Sequence, residues 1–275
     1  MHVFVTGASG YIGSAVVHEL IGAGHKVVGL TRSDDGAAIL KEAGAEVHRG
    51  TLDDLDSLRS AAAAADGVIH LAFGHNTSEF AAALTADLHA VETMGTALEG
   101  SGKPFVITNH LNGEASENAA ISLAGVRSVV VTLSPSVHDK GDKGGLVPRL
   151  INIARTKGVS AYIGDGSNRW PAVHRLDAAH LYRLALESAP AGSRLNGVGD
   201  EGVLFRDIAD VIARHLNLPV VSISREEANT HFGPFLGAVA AMDAPRSSAR
   251  TQELLGWRPV HPTLIPDLEE HYFNN

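Results

Sequence analysis

The sequence predicts an α/β protein with a Rossmann-type, doubly wound parallel sheet and a smaller C-terminal α/β region. Two features of the first half of its 275 residues support this prediction. Apolar runs of strand length alternate with stretches of helical spacing, and a glycine-rich turn joins the first strand to the first helix. Strands that are apolar throughout are typical of parallel sheets covered by helices on both faces. Right-handed crossovers then favour a doubly wound sheet.

In the first half, apolar runs predict six strands at 3–5, 26–30, 46–48, 67–72, 104–108 and 128–133. Between them the residue pattern predicts helices at 14–21, 34–42, 54–64, 79–98 and 116–124. We expect Asp34 and Asp35 to cap the second of these helices.

The second half is less regular. Its pattern predicts helices at 146–157, 177–187, 205–216, 247–255 and 264–273, and strands at 195–198 and 220–223. Residues 140–145 are rich in Gly, Asp and Lys and predict a loop. The helix at 177–187 begins at Asp177, a residue type that is typical of a helix N-cap.

Composition excludes several classes of protein. With 22 Lys and Arg against 31 Asp and Glu, the formal charge of −9 is unfavourable for binding nucleic acid or an anionic membrane. The chain has no cysteine, which excludes disulfides, thiolate metal sites and cysteine nucleophiles. None of the 15 histidines has convincing metal-ligand spacing, so we expect no metal. No apolar run reaches the ~20 residues of a membrane span, and we expect a cytoplasmic protein.

The glycine-rich turn runs from Thr6 to Gly13 and contains Gly7, Gly10 and Gly13. One glycine permits the tight turn, one lets backbone N–H groups reach a diphosphate, and one lets the helix pack on the strand. The helix N-terminus then offers unsatisfied donors to the anion. The alternative is an ordinary strand–helix turn. We expect the loop to bind a dinucleotide through Gly7, Ser9, Gly10, Tyr11, Ile12 and Gly13.

The turn resembles the Thr-Gly-x-x-Gly-x-x-Gly motif of the short-chain dehydrogenase/reductase superfamily. Four further segments resemble its extended and atypical branches: 70–72, 133–138, 170–177 and 254–259. This resemblance covers nearly the whole chain. It implies a dinucleotide-binding Rossmann domain at 1–135, to which 171–200 return, and a substrate-binding region formed by 136–170 and 201–275.

The cofactor expected from the second strand is NADP(H). A carboxylate at the end of this strand would hold the ribose 2′-hydroxyl of NAD, but the chain has Thr31, Arg32 and Ser33 there. Arg32 offers a fork for a 2′-phosphate, and its neighbours offer hydroxyls. The alternative is that Arg32 is a solvent-facing loop residue. The resemblance also places eight other residues along the cofactor: Thr51, Leu52, Leu71, Ala72, Phe73, Pro135, Ser136 and Val137.

The superfamily's usual proton donor is absent from the sequence. Its tyrosine is followed four residues later by lysine, and none of the four tyrosines here, at positions 11, 162, 182 and 272, has that partner. Thr108 matches the position of the superfamily's serine, and Asn109 and His110 follow it. His138 stands where the superfamily often has a tyrosine. We expect catalytic residues among these four, since histidine titrates near neutral pH. The alternative is that they are polar residues of a strand end and a loop.

The resemblance also implies a substrate pocket. Its predicted members are Asn168, Arg169, Trp170, His174, Phe232 and Phe235. Four of them have a structural alternative: Arg169 could pair with a carboxylate, Trp170 could fill the core, and the two phenylalanines could form a contact between helices.

Three functions follow from these expectations. The leading hypothesis is an NADP(H)-dependent oxidoreductase that transfers hydride to a small cyclic or aromatic carbonyl, imine or activated alkene. The alternatives are a non-catalytic NADP-binding regulator, and an isomerase or epimerase with a tightly bound cofactor. The resemblance also allows a homodimer formed through helices 79–98 and 116–124.

Overall fold

The computed structural model describes residues 1–74 and 80–273. Its strands are β1 (His2–Thr6), β2 (Lys26–Thr31), β3 (Glu46–Arg49), β4 (Gly67–His70), β5 (Pro104–Thr108), β6 (Arg127–Leu133), β7 (Ser136–His138), β8 (Ser160–Ile163), β9 (Arg169–His174), β10 (Ser193–Gly197), β11 (Asp200–Leu204) and β12 (Val220–Ile223).

The helices are α1 (Tyr11–Gly22), α2 (Asp34–Glu42), α3 (Leu55–Ala64), α4 (Phe80–Leu98), α5 (Glu114–Ile121), α6 (Leu146–Lys157), α7 (Arg175–Ser188), α8 (Phe205–Leu216), α9 (Ala228–Phe232), α10 (Pro234–Ala240), α11 (Ala249–Leu255) and α12 (Leu264–His271). Within the described residues, no helix is both long enough and apolar enough to cross a membrane.

The chain divides into two compact units. The first contains Met1–Leu133, Ala178–Asn196 and Arg250–Trp257. The second contains Ser134–Asp177, Gly197–Ala249 and the residues from Arg258 onward.

Seven strands form one sheet in the order β10-β6-β5-β4-β1-β2-β3. The pairings from β3 through β6 are parallel, with Val3 of β1 opposite both Val27 of β2 and Gly67 of β4. Strands β4 and β5 are buried along their whole length, because helices cover both faces of the sheet. The strand order reverses beside β1, which is the Rossmann arrangement. The predicted fold class is therefore confirmed.

Helix α4 contributes several buried residues to the core of the first unit. Val91, Met94 and Leu98 lie on its buried face, and Asp87 occupies the same face one turn earlier. The helix predicted at 79–98 is described from Phe80 onward, and its first residue lies outside the described residues.

Helix α5 differs from its prediction at both ends. It spans Glu114–Ile121 instead of 116–124, because Gly113 stands at its N-cap and Ser122 at its C-cap. Asn112, just before the cap, has the positive φ of 60° that is typical of a tight turn. The shorter helix brings Ser116 into its first turn, with a buried side chain.

The second unit contains two small sheets, with orders β11-β9-β7 and β12-β8. Its core includes Trp170, Phe205 and Ile212, with Leu264 and Leu268 of α12 packed among them. Strands β7, β8, β9 and β11 were not predicted from the sequence. They are three to six residues long, which is too short for a clear alternating pattern.

Candidate functional site

The glycine-rich loop lies between the carboxyl end of β1 and the start of α1, where the strand order reverses. Gly7 has φ +67°, and a Cβ added there would lie 2.8 Å from the Ala72 amide nitrogen. A Cβ added at Gly13 would lie 2.0 Å from the carbonyl oxygen of Gly7. Only glycine therefore lets the loop, β4 and α1 approach this closely.

The start of α1 suits an anionic ligand. Its N-cap is Gly10, and no side chain caps the helix. The first-turn amides of a helix are unsatisfied donors, and the helix dipole adds positive potential there. A dinucleotide diphosphate thus fits the observed loop.

The end of β2 gathers three hydroxyl groups. A Cβ added at Gly36 would lie 2.2 Å from Thr31 Oγ1, 2.9 Å from Ser9 Oγ and 3.1 Å from Ser33 Oγ. Arg32 is exposed, and it makes no hydrogen bond or ion pair within the described part of the chain. Its guanidinium is therefore available to a ligand at the same edge.

The cap of α2 differs from the prediction. Ser33 caps the helix by accepting a hydrogen bond of 3.0 Å from the Gly36 amide, whereas Asp34 and Asp35 lie in the first turn. Asp34 pairs with Arg49. Ser33 accepts through its oxygen, so its hydroxyl proton remains available to a ligand.

The other residues predicted to bind the cofactor fall in both units. Thr51 is exposed and Leu52 half-buried, and the half-buried Leu71, Ala72 and Phe73 follow β4. The remaining three, Pro135, Ser136 and Val137, belong to the second unit.

A buried polar network crosses the ends of β1 and β4. Thr6 Oγ1 accepts hydrogen bonds of 3.2 Å from the Leu71 and Ala72 amides and lies 2.6 Å from His70 Nδ1. With both lone pairs used, the Thr6 hydroxyl must donate to Nδ1. His70 is then neutral with its proton on Nε2, which lies 3.2 Å from Asp87 Oδ1. Sequence analysis missed the roles of both His70 and Asp87.

Asp87 is the central carboxylate of the first unit's site, and it is only 1% exposed. Burial raises its pKa, but the contacts with His70, the Ser116 hydroxyl and His110 outweigh this, and the net pKa lies below the usual value. Ser116 donates to Oδ2 at 2.5 Å, and His110 Nε2 lies 3.8 Å from Oδ1. The carboxylate is therefore ionised and faces an imidazole that follows β5.

His110 lies at an accessible position beside this carboxylate. Its side chain is 18% exposed, and its ring stacks on Phe73 with centroids 4.0 Å apart and an interplanar angle of 25°. Phe73 therefore fixes the plane of a ring whose edge meets Asp87. The arrangement can hold and transfer a proton at His110.

The Thr108 hydroxyl is paired with the buried Tyr182 hydroxyl. Its hydroxyl donates to the His70 carbonyl at 3.0 Å and lies 2.7 Å from the Tyr182 hydroxyl. Burial raises the pKa of Tyr182 strongly, so Tyr182 stays protonated and serves as the donor. Because the Thr108 proton is already donated, the geometry does not support the expected contact between Thr108 and a substrate oxygen.

Asn109 directly follows β5, and its backbone amide donates to the Val131 carbonyl at 2.8 Å. Its side-chain nitrogen donates to Thr132 Oγ1 at 3.4 Å. Among the described residues its buried Oδ1 has no hydrogen-bond partner. Asn109 is thus held in place beside His110 with an acceptor unused.

His138 is buried in the second unit, in contrast to the expected catalytic position. Its Nδ1 lies 2.7 Å from Asp267 Oδ2, and both side chains are 1% exposed. The proton of a neutral ring then lies on Nδ1, and Nε2 has no hydrogen-bond partner in the described ranges. A catalytic histidine must reach its substrate, so this burial favours a structural role for His138.

Two His/Asp groups of the second unit have ligand atoms within 4.8 Å of one another. In the first, formed by Asp139, His174 and Asp267, His174 Nδ1 accepts a hydrogen bond of 3.2 Å from the Leu176 amide. The proton of the neutral ring therefore lies on Nε2, 3.6 Å from Asp139 Oδ1. A protonated nitrogen has no lone pair for a metal, so the geometry disfavours coordination here.

The second group consists of His174, Asp177 and His261. The two imidazole rings are stacked, with centroids 4.7 Å apart and planes 10° from parallel. A ring nitrogen binds a metal within the plane of its ring, and one ion cannot lie in two stacked planes. Asp177 instead accepts hydrogen bonds from the Val260 and His261 amides.

The residues predicted to form a substrate pocket mostly have structural partners. Arg169 pairs with Asp243 through two contacts of 3.0 Å. Asn168 donates to the Ala240 carbonyl at 2.8 Å. Trp170 is buried and donates to the Val239 carbonyl at 3.2 Å.

His174 and Phe232 are also buried, whereas Phe235 is 38% exposed. Phe232 packs in the second unit's core. The structural alternative therefore describes Arg169, Trp170 and Phe232 better than the predicted pocket does.

One signal in the sequence could have revealed Asp87. It lies four residues before Val91 and seven before Met94, on the apolar face of a predicted helix. A carboxylate on such a face must be paired if it is to remain charged in the core. Its partners, however, come from β4, α5 and the segment after β5, and they cannot be read from spacing.

The site and fold together define a dinucleotide-binding protein of the Rossmann class. Residues 3–98 match the profile of the NAD dependent epimerase/dehydratase family. An uncharacterized protein of Schizosaccharomyces pombe is 45% identical over 99% of this chain and 100% of its own length. The chain therefore belongs to the NAD-dependent epimerase/dehydratase family, and the predicted membership is confirmed.

Two more distant similarities complete the comparison. A 4-hydroxy-2-methyl-3-oxo-4-farnesyl-3,4-dihydroquinoline-1-oxide ketoreductase of Stigmatella aurantiaca is 33% identical, covering 70% of this chain and 66% of that protein. The crystal structure of a UDP-glucose 4-epimerase from Thermotoga maritima, with UDP-glucose, superposes with a TM-score of 0.74. It is 18% identical and covers 98% of this chain and 96% of its own, a likeness of fold.

Proposed function

We propose that this protein is an NADP(H)-dependent oxidoreductase that transfers hydride to a small cyclic or aromatic carbonyl, imine or activated alkene. The main support for this proposal is the glycine-rich loop. Gly7 allows the loop to approach Ala72, Gly13 allows α1 to approach Gly7, and Gly10 at the N-cap of α1 provides no side-chain cap. This geometry suits a dinucleotide diphosphate. When bound, the cofactor supplies the hydride, and the protein supplies binding, orientation and a proton.

The preference for NADP(H) rests on the end of β2. Arg32 is exposed and has no partner among residues 1–74 and 80–273, while the hydroxyls of Ser9, Thr31 and Ser33 surround Gly36. A guanidinium with hydroxyl neighbours suits a 2′-phosphate. The next carboxylate in the sequence, Asp34, lies in the first turn of α2 and pairs with Arg49.

The substrate class rests on the relatives and on the missing Tyr–Lys pair. One relative is a ketoreductase, which supports a carbonyl substrate. An imine or a conjugated substrate would make a weaker demand on a protein acid. The net charge of −9 and the lack of cysteine support a cytoplasmic protein, and we expect a homodimer through α4 and α5.

Calorimetric titration with NADPH and with NADH tests the cofactor preference. We expect NADPH to bind at least ~100-fold tighter, a gap of ~2.7 kcal/mol. The substitution Arg32→Ala should remove most of this gap because it removes the phosphate partner. The matched control is Arg59→Ala, which removes an exposed arginine of α3 paired with Asp56. Equal affinity for both nucleotides in the unmodified protein would overturn the preference.

A substrate screen that follows NADPH oxidation then separates three functions. Consumption of NADPH with a carbonyl, imine or enone supports the reductase. Interconversion of a sugar nucleotide without net consumption would instead favour an epimerase, the activity of the Thermotoga maritima protein. Tight NADPH binding with no turnover of any compound would favour a regulator.

A further inference from the structure

We propose that Asp87 of α4 positions His110 and keeps it protonated, so that His110 delivers the proton that accompanies hydride transfer. This inference rests on the proposed oxidoreductase function. Asp87 acts only through His110 and is a positioning residue, whereas His110 is the residue that meets the substrate.

Asp87 is ionised although it is buried, because the hydrogen bonds and charge attraction of its neighbours outweigh the cost of burial. One imidazole at this carboxylate is His70, whose Nδ1 accepts the Thr6 hydroxyl proton and whose Nε2 carries the hydrogen that faces Oδ1. The other imidazole at this carboxylate is His110, with Nε2 3.8 Å from Oδ1. The attraction that lowers the pKa of Asp87 also stabilises the protonated form of His110.

Asp87 and His110 are both held in position by their neighbours. Ser116 donates to Asp87 Oδ2, and His70 donates to Oδ1, so the carboxylate is fixed from two sides. Phe73 stacks on the His110 ring and leaves its edge directed at Asp87. The 3.8 Å separation is an ion-pair contact rather than a hydrogen bond, and such catalytic contacts commonly tighten when substrate binds.

Tyr182 of the first unit does not replace the absent tyrosine donor. Tyr182 is fully buried, its hydroxyl is paired with Thr108, and burial raises its pKa strongly. It therefore cannot reach a substrate or exchange its proton readily. His110, with 18% of its side chain exposed, can do both.

With a carbonyl substrate, bound NADPH would supply the hydride to the carbonyl carbon and would leave as NADP⁺. The Nδ1–H of protonated His110 supplies the proton to the carbonyl oxygen, which gives an alcohol and a neutral imidazole whose remaining proton lies on Nε2, facing Asp87. His110 then takes a proton from water, and the carboxylate of Asp87 again faces a cation.

NMR titration of the histidine ring protons tests the pairing without any substrate. The His110 signal is assigned by its loss in His110→Gln, and His89, an exposed residue of the same helix as Asp87, is the internal reference. We expect His110 to lose its proton at a higher pH than His89 in the unmodified protein. Asp87→Asn should remove that difference. A His110 midpoint at or below that of His89 would overturn the proposal, whether or not Asp87→Asn folds.

Steady-state kinetics with the best substrate of the screen test proton delivery. We expect His110→Gln to lower kcat about 100-fold with NADPH affinity unchanged, a typical size for loss of a general acid. Added imidazole should restore part of the activity of His110→Ala. Asp87→Asn should lower kcat about tenfold and move the alkaline limb of the pH profile to lower pH, which a purely structural role would not do. His89→Gln is the matched control.

The two proposals fail in distinguishable ways. If the unmodified protein turns over no substrate, both the oxidoreductase function and proton delivery by His110 are wrong. If it turns over substrate and His110→Gln keeps the full kcat, only proton delivery is wrong, and the oxidoreductase function stands.

Discussion

At Gly13, a single hydrogen atom decides how closely α1 can approach the end of β1. An added Cβ would lie 2.0 Å from the Gly7 carbonyl oxygen, which is backbone and cannot rotate away. The glycine could be predicted from the sequence, because its spacing follows a known strand–helix motif. The Asp87–His110 pair could not, since it depends on side chains separated by 23 positions and joined only by the tertiary fold.

We predict that Gly13→Ala destabilises the protein by about 1–3 kcal/mol, because the backbone must shift to admit the methyl group. NADPH affinity should fall at least tenfold. Chemical denaturation and calorimetric titration measure the two effects. Gly22→Ala is the matched control: it lies in the same helix and its Cβ would meet no atom within 4 Å. Equal behaviour of the two variants would contradict the close contact.

At the level of elements, the first unit was predicted better than the second. Strands such as β4 and β5 are apolar throughout, and helices separate them at regular intervals. Strand β9 combines Arg169, Trp170 and Pro171, a mixture with no clear strand period, so its residues were assigned to a substrate pocket instead. Its pairing with β7 and β11 depends on segments far away in sequence.

We predict that Trp170→Ala destabilises the protein by about 3–5 kcal/mol, because it opens a cavity in the second unit's core beside Phe205. Arg169→Ala, one residue earlier, should leave the denaturation midpoint nearly unchanged, because exposed ion pairs contribute little. Urea denaturation of both variants checks this contrast. A small loss of stability in Trp170→Ala would contradict the core role of this side chain and would favour its predicted place in the substrate pocket.

At the level of the whole molecule, burial of titratable groups sets the response to acid. Burial lowers the pKa of His174 despite the attraction of Asp139, and burial also lowers the pKa of His231. Below the usual histidine value of about 6.5, the unfolded chain therefore binds protons that the folded chain does not. Asp87, with its lowered pKa, adds a further loss of stability only in stronger acid.

We predict that the contribution of His174 and His231 to the free energy of unfolding falls as the pH is lowered from about 7 to about 5. The substitution His174→Asn should make this fall shallower, because the variant has no imidazole at this position that takes up a proton on unfolding. Denaturation curves at several pH values provide the measurement, with exposed His89→Gln as the control. A stability that rises over this interval would contradict the prediction.

The Thr6 hydroxyl has a consequence for the segment that follows β4. Leu71 and Ala72 belong to no helix or strand, yet both amides donate to the buried Thr6 Oγ1. Their hydrogens are therefore shielded from exchange with solvent as if they lay inside the sheet. A side chain of β1 therefore holds the segment after β4 in place, beside the glycine-rich loop that approaches Ala72.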